Sequence, residues 1–483
     1  MPARSQAAAS GPERMLVAFA VSVSLGIAVV SGLAAGEGSK TLVVLPLVVG
    51  AGLLMGALGL VRFSTFVMIL LVVRSSLDLA RLSGPDGQAA AAALRLFDPS
   101  SMTALLFVAM AILWLGALRC GPHRVPGSSP QTALLVFLAA GVISILGSTR
   151  PVAGTHEALR IASAVLMFVA VEQLASDPAR RRQVLGAVYL SAILPLAFSA
   201  FGLLTGTART EPKGDLLRLQ GTFVQSNDFG RYLMLLIIMG VALYPHMERR
   251  LRIPLAALLA AASWCLLLTY TLSAVIGTVV GLAIVGLLQS RRVVAGMLVA
   301  ATLALVLLPG LSGRFGDLLH TGDSQDKSSL DWRVEYWATV LPLANENPIT
   351  GIGLGQTQYL TEQEKQPHND FIRAYVETGL IGLAAYTWML LCLMALAWRA
   401  VKDNPAGPRG PLDRGLATGF LGCAASFLAT SLVANLFSSV VVLWYFFAFA
   451  AAASAITADR TAAHGQHRHG TRALVRQERQ FRV

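Results

Sequence analysis

Charged residues are scarce in this sequence. Only 13% of the 483 residues are Asp, Glu, Lys or Arg, whereas 55% are hydrophobic. Because a soluble globular domain carries about 25% charged residues, this composition excludes a water-soluble fold. The apolar residues form many separate runs of about 20, the length that crosses a lipid bilayer. The sequence therefore predicts an all-α polytopic membrane protein with about 12 to 14 transmembrane helices.

Three further features are missing, and each absence reduces the number of functional classes that fit the sequence. The four cysteines lie in or beside apolar runs without metal-ligand spacing, so we expect reduced thiols rather than a metal site. No internal repeat of the kind that builds many transporters is visible. No Asp-rich motif accompanies the arginines described below, so a divalent metal bridging a pyrophosphate is not indicated. We therefore expect neither a metal nor a cofactor.

Fourteen apolar runs are candidate spans, and two closely connected pairs make twelve an alternative count. The short loops on one side carry most of the basic residues, which identifies that side as cytoplasmic. Both termini fall on it, so the net charge of +12 reflects topology and does not indicate nucleic-acid binding. The runs are 15–36, 41–61, 63–80, 101–119, 131–148, 152–175, 184–206, 226–245, 252–270, 272–289, 292–309, 370–398, 415–435 and 436–457.

One long segment on the opposite, outer side divides the chain. Residues 1–309 hold the N-terminal transmembrane helices, 310–369 form the large outer loop, and 370–458 hold the C-terminal helices. Loops of this length are usually functional or disordered, and the mixed composition of this one is not that of a disordered segment. Residues 459–483 are predicted to form a disordered cytoplasmic tail, whose basic character suits contact with anionic membrane lipids.

Short helices and a glycine-rich turn are predicted inside the large loop. A helix should begin at Leu330 and end at Asn347-Pro348, because proline disfavours a helical residue before it. The glycine-rich stretch 351–355 predicts a tight turn whose backbone approaches another segment closely. At helical spacing, the apolar face of the predicted helix comprises Leu330, Val334, Trp337 and Leu341.

His368 directly precedes a predicted span at the outer membrane surface. It is followed by Asn369, and Glu377 lies about two turns further along. Histidine has an ordinary pKa near 6.5 and exchanges protons near neutral pH, so His368 is a candidate general base. The alternative is that His368 only caps the helix or packs at the membrane interface.

Arginine is abundant on the outer side, where the positive-inside rule disfavours it. The planar guanidinium group suits bidentate contact with phosphate, so the cluster predicts an anionic ligand, most simply a phosphate-bearing lipid. For Arg74, an ion pair with Asp78 at i,i+4 spacing is an equally good interpretation. The candidate phosphate-binding residues are Arg74, Arg160, Arg218, Arg231, Arg314 and Arg333.

Three stretches over residues 200–400 together resemble the O-antigen ligase and polymerase superfamily. In this family Ser-Arg often ends the span before the large loop region, where this chain has Ser273-Ala274, so another arginine must supply that phosphate contact. The three stretches are Arg218-Leu-Gln-Gly-Thr-Phe followed by Ser226-Asn227, Arg333…Trp337 followed by Asn347-Pro348 and Gly351-Ile-Gly-Leu-Gly, and Pro367-His368-Asn369…Glu377-Thr-Gly379…Gly382.

The resemblance implies a C-type glycosyltransferase fold in the bacterial inner membrane with a periplasmic active site. Enzymes of this family move a glycan from undecaprenyl pyrophosphate to an acceptor. We expect an O-antigen ligase, whose acceptor is the lipid A–core oligosaccharide. A polymerase, which uses a second carrier-linked unit, or a protein O-oligosaccharyltransferase is the alternative within the family. A transporter or flippase for a lipid-linked or anionic solute is the alternative outside it, and no oligomeric state is predicted.

The mechanism implied is an inverting, metal-independent transfer. The arginines would hold the pyrophosphate and stabilise the charge that develops on it, since a preorganised clamp of this kind is usually the largest catalytic contribution. His368 would act as general base on the acceptor hydroxyl. Asn369 would position the acceptor or the loop, and Glu377 would either orient His368 or pair with Arg373.

Overall fold

The computed structural model describes residues 40–80, 99–120, 127–213, 216–307, 310, 329–404 and 411–458. The predicted first span, Arg314 and the predicted cytoplasmic tail lie outside these residues.

The first half of the described chain consists of seven helices joined by short connections. A 3₁₀ turn, Arg74–Ala80, follows α2 directly, and a second one, Ile145–Gly147, follows α4. The helices are α1 Lys40–Val61, α2 Phe63–Val73, α3 Pro99–Cys120, α4 Ser129–Ser144, α5 Pro151–Leu174, α6 Pro178–Leu190 and α7 Ile193–Thr205.

The second half adds nine helices. Counted over both halves, eight helices of the described residues are long and apolar enough to cross a membrane. Their ends lie within a few residues of the predicted runs, which confirms the polytopic helical fold. The second-half helices are α8 Ser226–Leu243, α9 Arg249–Leu268, α10 Leu272–Gln289, α11 Arg291–Leu307, α12 Ser329–Val340, α13 Thr357–Leu360, α14 Asp370–Asp403, α15 Pro411–Ser431 and α16 Val440–Ala458.

Helices α8 and α16 form the centre of the bundle. Most of α8 and nearly all of α16 are buried, as expected of helices that other helices surround. Their aromatic side chains contact one another, with the rings of Tyr232 and Tyr445 4.9 Å apart. On another side of α16, the ring of Trp444 lies 4.9 Å from that of Phe107 in α3. The helices that carry the candidate site are therefore anchored in a rigid core.

A two-stranded antiparallel hairpin interrupts the helices between α7 and α8. It consists of β1 Thr210–Lys213 and β2 Leu216–Leu219, with Glu211 opposite Arg218. The Glu211 carboxylate accepts hydrogen bonds from the Ser226 backbone N–H (3.1 Å) and hydroxyl (2.8 Å), so the hairpin caps the start of α8. The sequence did not predict this hairpin, because strands of four residues are too short to give a clear alternating pattern.

Helix α14 is broken at Gly379, where the glycine-rich stretch crosses it. Gly379 has φ 65° and ψ −165°, a conformation essentially confined to glycine. A Cβ atom there would lie 2.2 Å from the Ile349 carbonyl oxygen. At Gly351, which also has a positive φ of 74°, a Cβ atom would lie 2.4 Å from the carbonyl carbon of Glu377. The predicted close backbone approach is confirmed, and its partner is α14.

Backbone hydrogen bonds join the two crossing segments. The amides of Ile352 and Gly353 donate to the carbonyls of Val376 and Glu377, each at 3.0 Å, on the first side of the break. On the other side, the Leu380 amide donates to the Pro348 carbonyl at 2.9 Å. Backbone amides and carbonyls that lose their helical partners at the break thus form hydrogen bonds with the loop. The glycine-rich stretch therefore stabilises the broken part of α14.

The face of α12 was predicted incorrectly. Tyr336 and Val340 are buried, whereas the predicted core residues Val334 and Leu341 are 55% and 39% exposed. The rotation buries the aromatic rings of the helix, which carry more apolar area than Val334 or Leu341. The helix also ends at Val340, earlier than predicted, and continues as a 3₁₀ turn over Leu341–Asn345 that contains Pro342 near its start.

Candidate active site

The His368 turn lies at the end of the bundle where α8, α14 and α16 begin, which we call the site end. His368 has a φ of 54°, an uncommon conformation for a residue with a side chain. The next residue, Asn369, caps α14: its side-chain oxygen accepts hydrogen bonds from the amides of Phe371 (2.9 Å) and Ile372 (3.1 Å). Asn369 therefore fixes the helix start that presents His368.

Helix α12 holds the other side of the His368 turn through aromatic side chains. The indole N–H of Trp337 donates to the Pro367 carbonyl at 2.5 Å. The ring of Trp332 meets the imidazole ring of His368 edge-on, with centroids 5.9 Å apart. The Tyr336 hydroxyl donates to the Lys365 carbonyl. The large loop thus supplies a rigid support for the histidine.

Positive charge surrounds His368. Burial is the largest cause that lowers its pKa, and the charges of Arg333, Arg231, Lys213 and Lys365 add to the effect and bring it to about 3. These four cations come from α12, α8, the hairpin and the loop. At neutral pH the imidazole is therefore uncharged and can accept a proton. The sequence did not single out Lys213 and Lys365, although Lys365 lies in the predicted large loop and Lys213 between the predicted spans 184–206 and 226–245.

Glu377 pairs with Arg373, the second of its two predicted roles. Its Oε2 accepts from Arg373 Nε at 3.0 Å and from the Gly355 amide at 2.8 Å. The same guanidinium donates to Glu157 Oε1 at 2.7 Å. All three charged side chains are buried. Glu377 therefore fixes the glycine-rich stretch against α14, and Glu157 is a site residue that the sequence did not reveal.

Arg160 adjoins this buried network and remains accessible. Its Nη1 lies 2.9 Å from Glu157 Oε2 and its Nη2 donates to the Ser438 carbonyl at 2.6 Å. The side chain is 43% exposed, unlike the buried Arg373 beside it. Arg160 thus combines a fixed position with an open face, the arrangement an anion-binding arginine requires.

Residues 432–439 between α15 and α16, the site loop, are fastened to α8 and α14. The buried carboxylate of Asp370 accepts hydrogen bonds from the amides of Leu436 (2.9 Å) and Phe437 (3.4 Å). Arg231 Nη1 lies 3.4 Å from both the Asn435 carbonyl and the Asp228 carboxylate. The sequence did not single out Asp370, because an acid in the first helical turn is ordinary.

Arg218 is held by three acceptors at the bases of neighbouring helices. It donates to the Thr269 carbonyl (2.9 Å), to Asn227 Oδ1 (2.6 Å) and to Thr271 Oγ1 (3.0 Å). Only 2% of the residue is exposed. Its guanidinium lies beside the stretch in which this chain has Ala274 where the family often has arginine. Arg218 ties the hairpin to the starts of α8 and α10.

Arg74 lies at the junction of α2 and its 3₁₀ turn, rather than inside a continuous span. Its guanidinium is 4.0 Å from Asp78 and 5.7 Å from the Trp444 ring centroid. The next residue, Ser75, accepts a hydrogen bond from the Thr222 hydroxyl at 2.7 Å. The structure therefore brings Arg74 to the stretch that begins at Arg218, and the predicted pairing with Asp78 is present.

Two comparisons with known proteins bear on the site. Residues 255–387 match the model of the O-antigen ligase family, a region that runs from α9 through α12 and His368 and past the break in α14. The exopolysaccharide production protein ExoQ of Rhizobium meliloti (strain 1021) is 26% identical over 310 residues, which cover 58% of this chain and 68% of the relative. Together with the motifs, these matches support the resemblance to the O-antigen ligase superfamily.

Proposed function

We propose that the chain is an O-antigen ligase, which transfers a polysaccharide from undecaprenyl pyrophosphate to a sugar hydroxyl of lipid A–core. The observation that carries the proposal is the uncharged His368 held in a fixed turn among four cations. A base next to a binding place for an anion is what transfer from a pyrophosphate donor requires. By the distribution of basic loops, the site end faces the periplasm and both termini lie in the cytoplasm of a bacterial inner membrane.

The reaction proposed is a single displacement. The acceptor hydroxyl oxygen attacks the anomeric carbon and gives its proton to the imidazole of His368. The bond between that carbon and the pyrophosphate oxygen breaks, and its electron pair leaves with undecaprenyl pyrophosphate. Attack opposite the leaving group inverts the anomeric centre. The residues present supply base and cations without requiring a metal.

The cations around His368 would also adjust its basicity. In the free protein they hold the pKa of the imidazole at about 3, where it is uncharged but a weak base. A bound pyrophosphate would offset those charges, and its own negative charge would raise the pKa of His368 toward the ordinary range. The base would thus strengthen when the donor is bound, which favours transfer over reaction of the free site.

The geometry separates the proposed pyrophosphate-binding arginines into two groups. Arg231 and Arg333 act on His368 directly through their charge, and Arg160 offers an open face beside the site loop. Arg218 and Arg74 are buried, as Arg231 is, but they are not among the charges that lower the pKa of His368. We assign pyrophosphate contact to the first group and positioning of the surrounding helices to the second. Lys213 and Lys365 are the other two cations near His368.

The acceptor distinguishes the two candidate functions within the superfamily. The name of the relative from Rhizobium meliloti refers to exopolysaccharide, which favours a carrier-linked acceptor, and hence a polymerase, as the second candidate.

Reconstitution with an undecaprenyl-pyrophosphate-linked glycan and two acceptors in parallel tests the choice. We expect product on lipid A–core. Product only on a second carrier-linked unit would replace the ligase by the polymerase, and product on neither would contradict transfer altogether.

A further inference from the structure

Ser438 in the site loop occupies the point where three parts of the site meet. Its hydroxyl accepts a hydrogen bond from Arg373 Nη1 at 2.8 Å and donates to Gln366 Oε1. Its backbone carbonyl accepts from Arg160 Nη2 at 2.6 Å. A serine hydroxyl has one donor and two acceptor lone pairs, so its single proton is directed to Gln366.

Gln366 lies close to the candidate base His368 along the backbone. Gln366 is two residues before His368, and Pro367 between them limits the rotation of the chain. On its other side, Ser438 is held by a guanidinium that two buried carboxylates, Glu157 and Glu377, fix in place. The hydroxyl therefore transmits the position of a buried ion-pair network to the His368 turn.

From these contacts we propose that Ser438 is a positioning residue for the transfer reaction, acting on His368 through Gln366. The inference rests on the proposed function, because His368 must be the base for its position to affect the rate. It goes beyond that function by assigning a role to the loop between α15 and α16, which lies outside the region that matches the O-antigen ligase family.

The replacement Ser438→Ala separates this role from donor binding. It removes the hydroxyl and leaves the backbone carbonyl that holds Arg160. Misplacing a reacting group by about 1 Å costs on the order of a hundredfold in rate. We expect kcat to fall about 10- to 100-fold while KM for the donor changes by less than about threefold. Ser438→Thr keeps the hydroxyl and should restore most of kcat.

Ser439→Ala is the matched control. Ser439 is the next residue in the same loop and is buried, and its hydroxyl has no hydrogen-bond partner among the described residues. Its replacement should leave kcat and KM unchanged. Size-exclusion profiles and unfolding midpoints of the two alanine variants report whether Ser438→Ala folds. Should it fail to fold, Gln366→Ala breaks the same contact from the other side and must show the same loss of kcat.

A double-mutant cycle tests whether Ser438 acts through Gln366. If it does, the Ser438→Ala and Gln366→Ala effects overlap, and the double variant loses about as much kcat as either single variant. Losses that multiply in the double variant overturn the proposal, as does Ser438→Ala activity within about twofold of wild type. In both cases a wild-type protein that forms product leaves the proposed function standing, whereas a wild type that forms none overturns both.

Discussion

Replacing Gly379 by alanine should strongly destabilise the protein. The conformation of Gly379, with φ 65° and ψ −165°, costs about 1–3 kcal/mol for a residue with a side chain. The new Cβ would lie 2.2 Å from the Ile349 carbonyl oxygen, so the two segments must separate. That separation breaks the hydrogen bonds from the amides of Leu380 and Ile381 to the loop, each worth about 0.5–1.5 kcal/mol. The total is roughly 2–6 kcal/mol.

Gly186→Ala provides the matched control for this prediction. Gly186 lies in α6, has no heavy atom within 4 Å of an added Cβ and does not have a positive φ. Alanine there should stabilise the helix by roughly 0.5–1 kcal/mol. Unfolding of both variants in mixed detergent micelles, followed by tryptophan fluorescence, measures the difference. Equal midpoints for Gly379→Ala and Gly186→Ala would refute the role assigned to the break in α14.

Three further predictions concern the charged residues of the site. Asp370→Asn should lower stability by about 1–3 kcal/mol, because one of two buried loop amides loses its acceptor; an unchanged unfolding midpoint would contradict this. Arg160→Gln should raise KM for the donor and cost less stability than Arg218→Gln, because Arg218 is fully buried among three acceptors; the reverse pattern would contradict the assignment. Burial and nearby cations lower the pKa of His368 from 6.5 to about 3, so the unfolded chain binds more protons between these values. The free energy of unfolding should therefore decrease as the pH is lowered from about 6.5 to about 3. The decrease should be steeper in wild type than in His368→Asn.

The sequence predicted the helices well because the bilayer fixes their length. Apolar runs mark the spans whether or not their packing partners are known. The glycine-rich stretch was also predictable, since positive φ and close approach are properties of the glycines themselves. His368 and Asn369 could be proposed from the sequence because their position before a span is a local pattern.

The missing parts of the site depend on residues that are distant in the sequence. Glu157 and Arg373 are 216 residues apart, and Asp370 and Leu436 are 66 apart. Neither pairing leaves a local signal, because each exists only after α5, α14 and the site loop have packed. The apolar face of α12 was predicted wrongly for a related reason: which aromatic residue is buried depends on the loop it meets, and here that loop presents His368.

The central claim is that His368 accepts the proton of the acceptor hydroxyl. The most direct measurement is the transfer rate of His368→Ala in proteoliposomes with saturating donor, compared with wild type and with His246→Ala, a histidine at the opposite end of α8. General-base catalysis contributes about 10²–10⁴-fold, so the first variant should lose at least a hundredfold while His246→Ala keeps its activity. Transfer by a folded His368→Ala protein within about threefold of wild type would contradict the account.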